Sequence, residues 1–78
     1  MEQMINLSQG QIGDSYTVQK MDLPIKIEKR LEALGMTHGT SVLILNSKSR
    51  GVLIVKVRGT RFALGRNITE KIQVGRAS

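Results

Sequence analysis

The sequence predicts a mainly β domain: a small, partly open barrel of about five short strands, with one α-helix between the first strand and the second. Three observations carry this expectation. Glycine-rich and polar turns recur at hairpin spacing through the second half of the chain. Between Leu23 and Leu34 the apolar residues recur at helical intervals. A sheet this small must also curl or close to hide its apolar face.

The elements follow in order. Met1 to Leu7 is a short lead-in, with Ile5 and Leu7 able to tuck onto the core. Gly10 and Gly13 bracket a turn that suits Asp14. Ser15 to Met21 alternates as a strand, with Tyr16, Val18 and Lys20 on one face. Asp22-Leu23-Pro24 opens the helix: Asp22 or its neighbour caps it, and Pro24 has no amide to waste in the first turn. Leu23, Ile27, Leu31 and Leu34 form one helical stripe, leaving Ile25, Lys29 and Glu32 on the outer side. The helix stops at Gly35, and Met36 falls where a Schellman cap makes an apolar contact back to Leu31. Val42 to Leu45 is an apolar run short enough to be a buried strand, and Ser47 to Gly51 is a loop. Val52 to Val57 is the next strand, with Leu53, Val55 and Val57 on one face. Arg58-Gly59-Thr60 is a tight turn in which glycine supplies the positive φ. Arg61 to Leu64 is a strand with Phe62 and Leu64 inward, broken by Gly65. Asn67 to Glu70 is irregular or a single turn, Lys71 to Val74 is a last strand, and Gly75 to Ser78 is a tail.

Composition bounds the function. With 78 residues and 8.6 kDa the chain reads as a single domain, residues 1–78. The absence of cysteine excludes disulfides and thiolate metal sites. No apolar run approaches the roughly 20 residues of a membrane span, and Met1-Glu2-Gln3-Met4 does not open a signal peptide, so a cytoplasmic location is expected. The net charge of +6 is unevenly placed. No acidic residue lies between Glu32 and Glu70, whereas Lys48, Arg50, Lys56, Arg58, Arg61 and Arg66 do. Such a field attracts nucleic acid, anionic lipid or an acidic protein. It also has a plainer use, since charged edge strands resist aggregation.

Candidate chemistry is sparse. His38 lies in the Met36-Thr37-His38-Gly39 turn with no carboxylate near it in sequence, and there is no nucleophile-elbow motif. Glu28 and Glu32 read as helix surface charge rather than an acid–base pair, so the chain is read as no enzyme. One imidazole and six scattered carboxylates do not make a closed metal site in the monomer; a weak site shared between molecules stays open. No cofactor is expected, because no glycine pattern matches a phosphate-binding loop. Small barrels do bind single-stranded nucleic acid, but through aromatic platforms. Here only Tyr16 and Phe62 are aromatic, so specific recognition is not expected.

Several stretches together resemble one family. They are Leu7-Ser8-Gln9-Gly10-Gln11-Ile12-Gly13, Lys29 to Met36 with Gly39, Gly51 to Val57 followed by Gly59, Phe62-Ala63-Leu64-Gly65-Arg66, and Glu70 to Val74. The ordered set, covering residues 5–75, resembles the FeoA family of bacterial ferrous iron transport proteins and the related SH3-like C-terminal domain of iron-dependent repressors. Two positions depart from the family pattern: His38 stands where proline is frequent, and Thr69 where alanine is frequent. The resemblance implies an SH3-like barrel without enzymatic activity. It also implies a cytoplasmic partner, the ferrous iron permease FeoB with its cytosolic GTP-binding domain, whose uptake the family assists or regulates. The chain's length points to the transport accessory, since a repressor would add a helix-turn-helix and metal ligands.

The expected function is therefore an interaction module for FeoB. Its expected binding residues are Ile25 and Lys29 on the outer helix face, helped by Arg50, Arg58 and Arg61. The alternatives are a nucleic-acid-binding small barrel and a homo-oligomeric scaffold joined through an open sheet edge.

Overall fold

A computed structural model describes residues 4–76, and six of their segments pair into one antiparallel sheet. The strands are β1 (Met4–Asn6), β2 (Ser15–Met21), β3 (Ser41–Ser47), β4 (Leu53–Val57), β5 (Thr60–Leu64) and β6 (Ile72–Arg76). Helix α1 (Ile25–Ala33) joins β2 to β3, and the single turn α2 (Arg66–Thr69) joins β5 to β6. The spatial order is β1-β6-β2-β3-β4-β5, which leaves β1 and β5 as the edges. The mainly β class and the helix position agree with the sequence reading, but the described residues hold six strands instead of about five. No helix among them is long and apolar enough to cross a membrane.

The extra strand comes from the lead-in. Ile5 pairs with Val74 and Asn6 with Gln73, so the start of the chain is held by its far end. For the same reason Gly75 and Arg76 belong to β6 instead of a tail: Gly75 is buried, and Tyr16 pairs with Arg76. The rest of the expected lead-in and tail, residues 1–3 and 77–78, lies outside the described residues.

Alternation decides which side chains fill the interior. Tyr16 and Val18 on β2, Val42 and Ile44 on β3, Leu53, Val55 and Val57 on β4, and Ile72 and Val74 on β6 meet Leu7, Leu31, Met36 and Leu64 in one apolar cluster. Lys20 does not join Tyr16 and Val18, because the register with β6 shifts between Val18 and Lys20 and turns Lys20 to solvent. Val42 to Leu45 is not buried throughout: Leu43 and Leu45 face the outer side and are half-covered.

Helix α1 begins one residue later than expected. Pro24 is its N-cap and accepts from the Ile27 and Glu28 amides at 3.0 Å each, while the Asp22 amide is spent on the Lys71 carbonyl at 2.8 Å. The exit is a Schellman motif: the Met36 amide donates to the Leu31 carbonyl at 2.9 Å and the Gly35 amide to that of Glu32 at 2.9 Å, with Gly35 at φ +97. Leu34 is the C-cap residue and leaves the stripe, standing 40% exposed.

One polar tie reaches the interior from the loop before β2. The Gln11 amide donates to the Tyr16 hydroxyl at 2.9 Å, anchoring the loop before β2 to a ring that is only 3% exposed. Tyr16→Phe leaves that amide without its acceptor. It is expected to cost about 1 kcal/mol, read in thermal unfolding as a fall of about 4–8 °C.

Candidate interaction surface

The cationic half of the chain folds into the β3–β4–β5 end of the sheet. Its centre is the β4–β5 hairpin. Val57 pairs with Thr60, so Arg58 and Gly59 form a two-residue loop, and both have positive φ, 50 and 83. That is the signature of a type I′ turn, which matches the right-handed twist of the flanking strands. Glycine accepts the conformation without strain, whereas arginine does not. Arg58 is stabilised there by packing: a β-carbon built on Gly35 would lie 3.2 Å from its Cδ and 3.6 Å from its Cγ, so the arginine stem lies across the exit of α1. Carbonyls at a helix C-terminus favour a cation beside them.

Counting back from the turn places Lys56 directly opposite Arg61. Both are exposed and carry the same sign, an arrangement that destabilises the isolated hairpin. The same rung continues inward through Leu43 to Ser15. Among the described residues the one ion pair is Arg76 with Asp14, 3.0 Å apart, and it joins β6 to the loop before β2. The hairpin cations have no such carboxylate.

At the other end of β4, Arg50 also has positive φ, 65, followed by Gly51 at 76. Arg66 lies over that glycine, since a β-carbon there would meet its Cδ at 2.9 Å. Arg50 is therefore separated from Arg58 by the length of β4, roughly 17 Å at strand rise.

The five expected binding residues fall into three places. Arg58 and Arg61 share the hairpin. Ile25, 70% exposed, and Lys29, also exposed, stand one turn apart on α1. Arg50 sits in the β3–β4 loop. The exposed apolar residue next in sequence to Gly35, across which Arg58 lies, is Leu34, while Ile25 is at the far end of α1, roughly 13 Å along its axis. Lys56 and Leu34 were not among the expected binding residues. Lys56 was readable, since a two-residue turn at Arg58-Gly59 fixes its pairing with Arg61. Leu34 was not, because its place in the stripe hid its role as cap.

Asn-Gly is the preferred pair for this turn. Arg58→Asn is therefore expected to raise stability by about 0.5–1 kcal/mol. The measurement is chemical denaturation. A rise in stability together with weaker partner binding would mark Arg58 as a residue kept for its surface.

The surface offers little to chemistry. A depression of about 140 Å³ is lined by Ile5, Gln9, Gln11, Tyr16 and Arg76, with no carboxylate pair. No group of three or more His, Asp or Glu among the described residues is placed to hold a metal ion, and His38 is exposed in its turn. Tyr16 is buried and Phe62 half-buried against the core, so neither presents a stacking platform.

Comparison with known proteins agrees with this architecture. The FeoA domain model matches residues 5–76. An iron uptake regulatory protein (FeoA) crystal structure is 27% identical with a TM-score of 0.83, covering 96% of this chain and 99% of that one. The Chlorobium tepidum FeoA solution structure is 25% identical with a TM-score of 0.89, covering 95% of this chain and 71% of that one. The zinc complex of Stenotrophomonas maltophilia FeoA is 30% identical with a TM-score of 0.72, covering 95% of this chain and 88% of that one. That protein is described as a prokaryotic SH3 domain protein and a candidate ferrous iron transport activating factor. No curated protein sequence is significantly similar to this chain. The fold and the match over residues 5–76 agree that the chain belongs to the FeoA domain family, whose members are non-enzymatic accessory proteins with an SH3-like fold.

Proposed function

We propose that this protein is a cytoplasmic accessory factor of ferrous iron uptake that acts by binding the cytosolic part of the permease FeoB. The iron is the permease's cargo. Relatives described as an iron uptake regulatory protein and as a candidate transport activating factor support the pathway. The observation that carries the binding role is the cationic hairpin, with Lys56 opposite Arg61 and Arg58 held in a left-handed turn across Gly35 at the exit of α1. A fold that needed only stability would place neither arrangement there. The face of α1 bearing Ile25 and Lys29 is a second contact of the same partner.

The test is a pull-down of the purified chain with the permease and with its isolated cytosolic domain, with and without GTP, at about 0.15 M salt so that loose contacts are screened. Retention by both forms is expected. Ile25→Asp with Lys29→Glu separates the helix contact from the hairpin: unchanged retention would remove α1 from the interface. Failure of the wild-type chain to be retained by either form would remove the permease as partner.

A further inference from the structure

The β5 edge has a further property that charge alone does not express. A two-residue loop makes its closing pair, Val57 with Thr60, a hydrogen-bonded pair, and pairs then alternate along the ladder. Lys56 with Arg61 and Ile54 with Ala63 are therefore the non-bonded pairs. The amide and carbonyl groups of Arg61 and Ala63 point away from β4, toward the open side of the sheet. Among the described residues β5 pairs with β4 alone, and no other backbone hydrogen bond involves Arg61 or Ala63. Both residues are exposed. This edge is a row of unused donors and acceptors, a template for one more strand.

We propose that β5 accepts an extended acidic polypeptide segment as a seventh strand, bonded to the backbone of Arg61 and Ala63. The choice of an acidic occupant follows from register. In an added antiparallel strand, the residue opposite Arg61 sits in a bonded pair about 5.5 Å away and projects onto the same outer face as Arg61 and Lys56. A carboxylate at that position meets Arg61 directly and offsets the repulsion from Lys56. The next residue turns to the face of half-buried Phe62 and is apolar. The segment thus alternates acidic and apolar residues. A second copy of β5 is the poorer occupant: even in the two-fold register that sets Arg61 opposite Ala63, it would bring two cationic hairpins side by side with no carboxylate between them.

This rests on the hairpin being an interaction surface and not on which protein supplies the segment, so the test uses a peptide in place of the permease. A capped peptide alternating glutamate and valine is titrated into the isotope-labelled chain at about 0.15 M salt. A lysine–valine peptide and a short oligothymidine serve as controls. Saturable binding of the acidic peptide is expected, with hydrogen exchange of the Arg61 and Ala63 amides slowed about tenfold or more. Ala63→Pro removes the outward amide without touching the β4 ladder, a position where an edge strand tolerates proline. It is expected to weaken binding about tenfold or more with every charge intact. Should that variant fail to fold, the exchange measurement on the wild-type chain still decides.

Equal binding by Ala63→Pro, or peptide binding without protection of the two amides, would overturn strand addition and leave a diffuse electrostatic contact. Oligothymidine displacing the peptide at equal concentration would overturn the choice of a polypeptide. Absence of peptide binding would overturn the proposal outright and leave the edge charges as a guard against self-pairing. Each of these outcomes is separate from the permease pull-down.

Discussion

Ile44→Ala is expected to destabilise the protein by about 2–5 kcal/mol, and Gly10→Ala by about 1–3 kcal/mol, with the double variant costing less than the sum. Ile44 is fully buried at the centre of β3. Its backbone also holds the loop before β2: the Gly13 amide donates to its carbonyl at 2.7 Å, and its own amide donates to Asp14 at 3.1 Å. Gly10 is required here for space and not for φ, which is −69. A β-carbon at Gly10 would collide with Ile44 Cδ1 and come within 3.0 Å of the Tyr16 ring and 3.1 Å of the Leu7 carbonyl oxygen. Removing Cδ1 makes room for the new methyl, which in turn fills part of the void; the contact with Leu7 remains, so the rescue is partial. A chain of 78 residues has a total stability of roughly 4–12 kcal/mol, so either single variant is expected to lose a large share of it. Urea denaturation of the four proteins in the cycle is the measurement, and strict additivity would mean that the two residues do not touch.

Arg61→Glu is expected to have the opposite signature, with stability held or raised and partner affinity reduced about tenfold or more. The substitution turns a like-charge cross-strand pair with Lys56 into an attractive one, which favours the free hairpin. The same change removes a cation from the outer face beside the open edge. Few structural roles combine a gain in the free protein with a loss in the complex. Thermal unfolding and a binding titration on one preparation read both arms, and loss of stability together with loss of binding would reduce Arg61 to a folding residue.

Local signals carried most of the fold, and distance along the chain hid the rest. The exit of α1 was readable because Gly35 and Met36 stand where a Schellman motif requires them, and both of its hydrogen bonds are present. The β4–β5 hairpin was readable from Arg58-Gly59 between alternating strands, although the left-handed Arg58 was not, since arginine gives no sign of it. β1 was missed because three residues are too short to show a period, and its partner Val74 lies at the other end of the sequence. The tail expected from Gly75 onward gives way to strand, because Gly75 is extended within β6 and its small size admits Gln19, whose Nε2 would lie 3.4 Å from an added β-carbon. The family resemblance needed only ordered motifs and extended over nearly the full span that the family model matches. The candidate binding residues were harder. Charge counting puts forward Arg50, Arg58 and Arg61; the strand register sets Arg50 apart from the other two and, as the Arg58-Gly59 turn implies, brings Lys56 to Arg61.

The most direct test of the central claim is a calorimetric titration of this chain into the isolated cytosolic domain of the ferrous iron permease, run at about 0.15 M salt and repeated at about 0.5 M. Saturable binding that weakens at the higher salt and is lost with Arg58→Glu and Arg61→Glu together is the expected result. Binding that survives both changes would contradict the cationic hairpin as the docking surface, and absence of heat for the wild-type chain would contradict the permease domain as its partner.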